Sequence, residues 1–414
     1  MSQLQPVRGT HDLLPDEMRR YRHVVDTARA AAECSGYLEI ETPIFEFSEV
    51  FKRTLGDTSD IVTKEMYTFT DRGGETITLR PENTASVARA FISEGLAQHA
   101  PLKYFYSGPM FRYERPQKGR LRQFHQTGVE LIGVADPLGD VEIIAVGVEF
   151  LRRLGVWDRC YLDINSLGDS ESRNAYRDVL VSYLSGHKDT LSKDSLGRLE
   201  RNPMRILDSK DDGDKAIVAN APVYSDHLNQ PSKDFFARVL EGLDAIGIPH
   251  SVNPRLVRGL DYYCHTCFEI ISGDLGAQGT VMGGGRYDGL IGIMGGPETP
   301  GVGWASGVER CMMLLKEEPA ARRPIALVPI GEEAERRALI LANRIRAAGL
   351  PADLGYSGNM GKRMKRANKL KARVAVILGE NELAKNVAAL RDLDSGEQHE
   401  VPLDTLIESL APYQ

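Results

Sequence analysis

The segment from Tyr104 to Gly133 carries polar side chains in a pattern that a purely structural strand does not require. Its second half predicts a strand, and since side chains alternate between the two faces of a strand, Phe124, Gln126 and Glu130 share one face, with a gap at Gly128. An aromatic ring, an amide and a carboxylate form a poor apolar core. They form a suitable floor for a small polar ligand.

The loop before this strand is strongly basic. After Glu114 it contains no acid, and its polar residues are Arg115, Gln117, Lys118, Arg120 and Arg122. Guanidinium and ammonium groups bind phosphate oxygens, so the loop suits a phosphate-rich partner. An ordinary hairpin with a solvated basic turn is the alternative interpretation.

A second candidate is TLRPENTASVARAFISEG, residues 78–95, where Pro81 and the later Gly95 predict the two ends of a helix. Glu82 and Thr84 fall at its amino end, and both offer oxygen acceptors to a ligand's ammonium group. Glu82 alternatively serves only to complement the helix dipole.

The run LVRGLDYYCHTCFE, residues 256–269, places Arg258 among apolar residues, where its charge needs an anion or carbonyl groups. Strand alternation groups Arg258 with Tyr262 and leaves Tyr263 on the other face, unless Gly259 marks a bulge. Arg310 is predicted in the first turn of a helix after GVGWASG, where it opposes the helix dipole and suits a triphosphate.

Two further motifs resemble a zinc site and a phosphate-binding loop, but each lacks a feature that such a site requires. Cys264, His265 and Cys267 suggest zinc, but their spacing on a strand points the thiols to opposite faces and no second ligand pair follows, so no protein metal site is predicted. The glycine run at 283–290 lacks the Gly-Lys-Ser/Thr ending of a phosphate-binding loop, so it fits a tight turn or a close approach of the backbone to a ligand.

These residues require several elements to position them. A helix is predicted at about Glu17–Ser35, a strand at Tyr37–Phe47, polar helices between about Leu167 and Ile248, and an alternating β/α pattern after EEPAARRP. The chain is therefore expected to divide into residues 1–166, an insertion at 167–248, a second core segment at 249–317, a linker at 318–324 and a module at 325–414.

Composition sets the class. The chain has 414 residues, 42% of them hydrophobic and 26% charged, as in globular proteins with room for two or three domains. Five cysteines are scattered, and no signal peptide or membrane-spanning run is visible, so a cytosolic protein with reduced thiols is expected. The net charge of −7 argues against general nucleic-acid coating but not against a local basic surface.

One such surface is predicted in the C-terminal module. The segment from Lys362 to Arg373 holds seven basic residues and no acid, among them Lys362, Arg363, Lys365 and Arg366. In an acidic chain this concentration favours a phosphate-binding surface over a merely solvated helix face.

Together these segments resemble the class II aminoacyl-tRNA synthetases, and within them the histidyl-tRNA synthetase family. The strand around Glu41-Thr42-Pro43 is similar to the dimer-interface motif, MFRYERPQKGRLRQF to the second class motif, and GVGWASGVER to the third. RPENT (80–84), LVRGLDYY (256–263) and GGRYDGL (284–290) resemble the histidine-specific signatures, so the resemblance spans essentially the whole chain.

The resemblance implies an α+β fold with a six-stranded antiparallel catalytic sheet, a helical insertion and a small α/β anticodon-binding domain. It implies ATP, with Mg²⁺, bound by Arg112, Glu114, Phe124 and Arg310, and Arg258 acting on the α-phosphate with Arg112. Histidine would meet Glu82, Thr84, Gln126, Glu130, Arg258, Tyr262 and Tyr263. The tRNA(His) would meet Arg115 and Gln117 as well as Lys362, Arg363, Lys365 and Arg366.

The resemblance further implies a cytoplasmic homodimer without membrane attachment that activates histidine and transfers it to tRNA(His). Two other classes stay open. One is a catalytically silent synthetase-like regulatory subunit of histidine biosynthesis, which would usually lack the anticodon module and the ATP arginines. The other is a plain RNA-binding protein, for which polar groups at Glu82, Gln126 and Glu130 would have no purpose.

Overall fold

The computed structural model describes residues 4–55, 61–207, 209–257, 260 and 262–413. The chain divides into two compact units, Met1–Glu318 and Pro319–Gln414. None of the helices in these described ranges combines the length and the hydrophobicity that a membrane span requires.

The first part of the N-terminal unit alternates helices and strands up to the insertion. These elements are α1 (Pro15–Cys34), β1 (Leu38–Glu39), β2 (Phe45–Phe47), α2 (Ser48–Leu55), β3 (Tyr67–Thr70), β4 (Thr76–Leu79), α3 (Thr84–Ser93), β5 (Leu102–Phe111), β6 (Gln123–Ile132), α4 (Leu138–Arg153) and β7 (Tyr161–Ser166).

The insertion and the rest of the unit follow. The elements are α5 (Ser170–Ser185), α6 (Lys193–Arg201), α7 (Asp212–Val218), α8 (Gln230–Ala245), β8 (Ser251–Val252), β9 (Cys264–Ile271), β10 (Thr280–Arg286), α9 (Leu290–Ile293), β11 (Gly301–Gly307) and α10 (Val308–Leu314). Short π- or 3₁₀-helical turns lie at 61–65, 96–99, 157–159, 203–206, 224–227 and 273–278.

A sheet of eight strands in the order β1-β5-β6-β11-β10-β9-β7-β8 organises this unit. The six central strands pair antiparallel throughout, while the two-residue strands β1 and β8 pair parallel at the edges. The expected six-stranded antiparallel sheet is therefore confirmed, with two short parallel edge strands added. Its glycine-rich strands β10 and β11 lie in the middle, next to β6.

The two faces of the sheet are covered differently. One face packs against α1, α4, α8 and α10 in a continuous apolar core that includes Ile144, Phe150 and Phe268. The other face joins α3 and the insertion helices in a core with several tyrosines, among them Tyr106, Tyr263 and Tyr287. A tyrosine-rich layer leaves polar atoms close to the sheet surface, and the ligand-binding candidates lie on this side.

The predicted strand over Tyr37–Phe47 forms two short strands instead. Leu38–Glu39 pairs with β5, whereas Phe45–Phe47 joins β4 and β3 in a separate three-stranded sheet. Pro43 separates them, and since proline has no N–H to donate, it interrupts a ladder at this point.

Four polar residues in the insertion serve as helix caps. Each of α5, α6, α7 and α8 is preceded by a side chain that accepts a backbone N–H from the helix's first turn, and the caps are Asp169, Ser192, Asp211 and Asn229. Such caps satisfy donors that have no partner within the helix. This explains how so polar a stretch folds into four helices.

The C-terminal unit is a small α/β sheet with the order β13-β12-β14-β15-β16. Its elements are β12 (Ile325–Pro329), α11 (Glu332–Ala347), β13 (Ala352–Leu354), α12 (Met360–Lys369), β14 (Val374–Leu378), α13 (Glu380–Ala384), β15 (Val387–Asp392), β16 (Gln398–Pro402) and α14 (Leu406–Leu410), with a 3₁₀ turn at 411–413. Strands β13, β12 and β14 run parallel, and β15 and β16 continue antiparallel.

Candidate active site

A cleft of about 470 Å³ opens on the tyrosine-rich side of the large sheet. Its walls come from the β5–β6 hairpin, the start of α3, the segment before β9, strands β10 and β11, and the first turn of α10. The predicted site residues among its lining are Glu82, Thr84, Arg112, Glu114, Phe124, Gln126, Tyr262, Tyr263 and Arg310. Segments distant in sequence thus meet in one cavity.

The aromatic and cationic side chains of the lining suit a nucleotide. The Arg112 guanidinium lies 5.2 Å from the centre of the Phe124 ring, and its Nε donates to the carbonyl oxygen of Pro81 at 2.9 Å. Arg310 donates to the carbonyl oxygens of Gly119 and Thr280 and, at 3.0 Å, to the side chain of Gln278. Burial, followed by the nearby Arg112 charge, lowers the pKa of Arg310.

The cleft wall also carries acceptors for a cation. The Oε1 atom of Gln126 is buried and has no hydrogen-bond donor among the described residues. A buried polar atom without a partner is destabilising. This orphaned acceptor in the cleft wall is therefore suited to the N–H of a ligand.

Glu82 has two roles. Its carboxylate accepts the backbone N–H groups of Thr84 at 2.6 Å and Ala85 at 3.0 Å, so it caps the start of α3. It is also buried at the cleft wall, and burial raises its pKa, with the same two N–H groups opposing that shift. The two sequence interpretations, helix capping and ligand binding, are therefore compatible.

Glu130 lies deeper than the sequence suggested. It does not line the cleft but is 1% exposed, accepting from Thr84 Oγ1 at 2.7 Å and from the Tyr287 hydroxyl at 2.6 Å. Burial raises the pKa of Glu130 to about 8, and the two hydroxyl donors oppose that rise. The strand period correctly predicts the face of Glu130, but not that Thr84 and Tyr287 cover it.

Two glycines make room for this buried polar layer. A Cβ atom on Gly303, the cross-strand partner of Glu130, would lie 1.9 Å from the Glu130 Oε2 atom. A Cβ atom on Gly128 would lie 2.5 Å from the hydroxyl of Tyr106, the residue paired with it on β5. Both glycines are required by close approach of a side chain across the strand.

The basic loop after β5 is partly self-paired. Arg120 donates to Glu114, and Gln117 and Arg120 pair through their backbones in a tight turn. Arg122 stacks 3.9 Å from the centre of the Tyr113 ring. Arg115 and Gln117 are exposed, and their predicted contact with tRNA stays a prediction.

Tyr262 and Tyr263 lie together at the cleft wall, with ring centres 4.7 Å apart. Arg258, the predicted catalytic cation, lies outside the described residues. Its role stays a prediction from the sequence.

Several residues that position the site were missed by sequence reasoning. Arg80, buried beside the start of α3, donates to Pro109 O, Thr42 O and Asn83 Oδ1 and so joins three segments around the cleft. Glu309 in the cleft wall accepts hydrogen bonds from His125, one from the ring Nδ1 at 2.8 Å and one from the backbone N–H at 3.0 Å. Arg80, the arginine of RPENT, was a signal for such a role, because a buried arginine needs several acceptors.

Cys264, His265 and Cys267 have the packing contacts of structural residues. Cys267 is fully buried in the core, and the Cys264 thiol accepts the backbone N–H of Asp288 at 3.4 Å, while His265 stacks on Phe235 at 4.6 Å. Throughout the described ranges, no group of three or more His, Cys, Asp or Glu residues is placed to hold a metal ion.

The basic helix α12 of the C-terminal unit requires one correction. Lys362, Lys365 and Arg366 are exposed, but Arg363 is 3% exposed and donates to Glu335 and to the carbonyl oxygen of Pro329. Arg363 therefore faces the interior because every fourth position of this helix packs on the sheet, and it is not available to an RNA phosphate. Arg366 pairs with Asp353 at 2.8 Å and stacks 5.5 Å from the exposed Tyr356 ring.

Comparison with known sequences covers both units. The family model described as Histidyl-tRNA synthetase matches residues 9–311, and the model described as Anticodon binding domain matches residues 325–411. A Histidine--tRNA ligase of Rhodospirillum rubrum is 65% identical over 414 residues, which is 100% of both chains. One of Gluconacetobacter diazotrophicus is 55% identical over 99% of both chains.

Solved structures agree with these matches. The apo histidyl-tRNA synthetase of S. aureus is 35% identical, with a TM-score of 0.83 over 98% of this chain and 99% of that one. A Bacillus halodurans structure described as an ATP phosphoribosyltransferase regulatory subunit/histidyl-tRNA synthetase has a TM-score of 0.67 at 22% identity, covering 92% and 99% of the two chains. At that identity the second likeness concerns the fold alone.

Proposed function

The chain belongs to the histidyl-tRNA synthetase family, and from this premise we propose which residues carry out each step of the histidine–tRNA ligase reaction. In the first step histidine and ATP form histidyl-adenylate and pyrophosphate. In the second step the histidyl group passes to the 3′ end of tRNA(His). The regulatory-subunit alternative is not favoured, because the ligase relatives match over the full length and the anticodon-binding module is present.

ATP is proposed to bind beside the aromatic and cationic side chains of the cleft. Phe124 would stack on the adenine, Arg112 would bind the α-phosphate, Glu114 would contact the nucleotide and Arg310 would bind the γ-phosphate. The carbonyl and amide acceptors around Arg310 hold its guanidinium in place before the nucleotide arrives. A preorganised cation of this kind stabilises developing charge without having to reorganise.

Histidine is proposed to bind beside the acceptors of the cleft wall. Its ammonium group would meet Glu82, Thr84 and the Gln126 Oε1 atom, whose lack of a partner is the observation that carries this assignment. Its imidazole would lie by Tyr262, between Tyr263 and the layer that contains Glu130, with one ring nitrogen donating and the other accepting. An amino acid whose side chain lacks two such nitrogens would leave Glu130 or Tyr263 unpaired. Unpaired buried groups are the basis of strong discrimination between amino acids.

Catalysis is proposed to need no protein nucleophile. The histidine carboxylate attacks the α-phosphorus, the bond to the β-phosphate oxygen breaks, and pyrophosphate leaves. Arg112 and Arg258 would stabilise charge on the phosphate oxygens, and alignment of the two substrates supplies the rest. The ribose hydroxyl at the tRNA terminus then attacks the adenylate carbonyl, with Arg115 and Gln117 contacting the acceptor end and the α12 lysines contacting the tRNA elsewhere.

The proposal extends to the metal ion, the oligomeric state, the compartment and the domain boundaries. Mg²⁺ would enter with ATP, since the carboxylates of Glu114 and Glu269 line the cleft and such oxygens, with phosphates, are its preferred ligands; the ion would neutralise phosphate charge. The protein would be a homodimer, and its five free cysteines fit the reducing cytoplasm. We likewise propose the boundaries 167–248 for the insertion and 325–414 for the anticodon-binding domain.

Pyrophosphate exchange with each of the twenty amino acids tests the substrate assignment. Only histidine should drive rapid exchange between ATP and labelled pyrophosphate, because only its ring satisfies both Glu130 and Tyr263. Exchange at a comparable rate with glutamine, asparagine or phenylalanine would overturn the proposed histidine site.

A further inference from the structure

Lys210 brings a cation into the active-site cleft from the helical insertion. Among the described residues that line the cleft, it is the one that comes from segment 167–248. Every other lining residue belongs to the sheet, to α3, to α10 or to the loops between them. The insertion therefore contributes directly to the cavity in which the proposed chemistry takes place.

The backbone at Lys210 is anchored on both sides. The Ser209 hydroxyl donates to Asp214 Oδ2 at 2.6 Å, and Asp211 caps α7 by accepting the N–H groups of Gly213 at 2.9 Å and Asp214 at 3.1 Å. Asp214 itself is fully buried. The turn that carries Lys210, residues 209–211, is thus hydrogen-bonded to the start of α7 on both sides of the lysine.

A set of serines holds this turn to the rest of the insertion. Asp214 also accepts from the Ser192 backbone N–H at 2.8 Å, from the Ser192 hydroxyl at 2.7 Å and from the Ser195 hydroxyl at 2.6 Å. Hydrogen bonds to an ionised carboxylate favour its charged form, and they lower the pKa of Asp214 to about 2 although burial opposes them. Asp214 accordingly joins the start of α6 to the turn that carries Lys210.

The Lys210 side chain has no hydrogen bond or ion pair with any residue in the described ranges, and it is exposed to the cleft. The remaining charged residues that line the described cleft are three arginines and four glutamates: Arg112, Arg120, Arg310, Glu82, Glu114, Glu269 and Glu309. Arg120 is already paired with Glu114. Without Lys210 this lining is net acidic, which is unfavourable for a polyanionic nucleotide.

We propose that the Lys210 ammonium group binds a phosphate of ATP in the cleft, so that the insertion takes part in histidine activation. The proposal rests on the function proposed above. An ammonium on a flexible stem binds phosphate as a compact point charge. The backbone of Lys210 is anchored and its side chain has no hydrogen bond or ion pair in the described ranges, so the ammonium group is available to ATP when the nucleotide is bound.

Phosphate recognition of this kind could come from two sources, the triphosphate of ATP or the phosphodiester backbone at the tRNA terminus. ATP is the favoured source, because the lining without Lys210 is net acidic and the triphosphate therefore needs a further cation, and because the nucleotide must enter the cleft before any tRNA is needed. The two sources are distinguished by measuring each half-reaction separately.

The test compares Lys210→Met and Lys210→Arg with the full-length wild-type protein in pyrophosphate exchange and in tRNA(His) charging. Methionine keeps the apolar stem and removes the charge. We expect the KM for ATP in exchange to rise about tenfold or more in Lys210→Met, in the range for a hydrogen bond to a charged group. Lys210→Arg should restore most of the affinity, and the KM for histidine should change little.

Lys215→Met is the matched control, because Lys215 is an exposed lysine of the same insertion that pairs with Asp212 at 2.9 Å and does not line the cleft. The KM values and rates of Lys215→Met should equal those of the wild type. All three variants should have the wild-type melting temperature. An unchanged KM for ATP in Lys210→Met would overturn the inference. A change confined to the KM for tRNA would also overturn it by assigning the lysine to the acceptor end. Failure of the wild-type protein itself to exchange with histidine would instead reject the proposed function.

Discussion

Glu130 shows how single residues control the chemistry of the cleft. Its carboxyl group is shielded from water, held by Thr84 and Tyr287, and accommodated only because Gly303 has no side chain. A buried carboxyl with a raised pKa stays protonated over much of the physiological range until a partner stabilises its charge. A ligand N–H directed at this group would be such a partner, and under the proposed function it would belong to the imidazole of histidine.

The Glu130 carboxyl should make stability depend on pH in the empty protein. Its pKa is about 8 in the folded chain and near the ordinary value of 4.5 in the unfolded chain, so the folded state holds the extra proton between these values. The stability it contributes is therefore fully present below pH 4.5 and is lost as the pH rises through about 8. We expect the wild type to lose melting temperature from pH 6 to pH 8 relative to Glu130→Gln.

Comparison of these two proteins at each pH cancels the titration of every other group, since Gln has the same shape and does not ionise. Calorimetric melting in the absence of ligands provides the measurement. A difference in melting temperature that stays constant from pH 6 to pH 8 would contradict a raised pKa at Glu130.

Arg258 supports a kinetic prediction that rests on the sequence, because this residue lies outside the described ranges. Arg258→Ala should slow histidyl-adenylate formation at saturating substrates, by about 2.7–4 kcal/mol in the activation free energy, since one preorganised donor is removed. Binding of histidine and ATP should change much less. Single-turnover measurement of adenylate separates the two effects, and near-normal chemistry with a raised substrate requirement would identify Arg258 as a binding residue only.

At the scale of the elements, packing divides the basic residues of α12 into a buried face and an exposed face. Its N-cap Asn359 accepts the Lys362 N–H at 3.0 Å, and the helix then turns Arg363 and Ala367 toward the sheet. The exposed face retains Lys362, Lys365 and Lys369. This face, and not the whole basic run, is the expected phosphate-binding surface.

Replacing Lys362, Lys365 and Lys369 together with alanine should raise the KM for tRNA(His) in charging and leave pyrophosphate exchange unchanged. Each lost phosphate contact should reduce the slope of log affinity against log salt by about one. Lys385→Ala is the control, since Lys385 is an exposed lysine outside α12 that pairs with Glu400. Unaltered charging kinetics and salt dependence in the triple variant would show that tRNA does not contact this face.

At the scale of the whole molecule, the small sheet of β2, β4 and β3 presents an apolar surface. Phe47 and Phe69 flank Ile77 in register, and Phe45 lies two residues from Phe47 on the same face. Phe45, Phe47 and Phe69 are 55%, 58% and 47% exposed. Exposed aromatic side chains grouped on one face are typical of an interaction site, and the proposed homodimer would cover them.

The double variant Phe45→Ser, Phe47→Ser should therefore be monomeric at micromolar concentration, whereas the wild type should sediment at twice the chain mass of 45.8 kDa. Burial of each phenylalanine stabilises an interface by about 1.5–3 kcal/mol, so the loss of two in each subunit is large. Tyr161→Ser, at an exposed aromatic residue of β7 in the large sheet, serves as the control and should remain dimeric. Analytical ultracentrifugation gives the masses, and a monomeric wild type would disprove the dimer.

The sequence by itself determined the local features. The period of two on β6 placed Phe124, Gln126 and Glu130 on one face, Pro81 marked the start of α3 closely, and the family motifs predicted the antiparallel sheet that the structure has. The first two features depend on alternation and on helix-end signals, which act between residues that are near in the chain, whereas the antiparallel sheet was implied only by the resemblance to the family.

The tertiary structure alone decided which of these side chains are reachable. Periodicity gives the direction of Glu130 and Arg363 but not the residues that cover them, Thr84 and Tyr287 in one case and Glu335 in the other. Lys210 enters the cleft because Asp214 fixes its turn through hydrogen bonds that no sequence period predicts. Burial and convergence are set by contacts between segments far apart in the chain, and such contacts follow only from the packing of the whole unit.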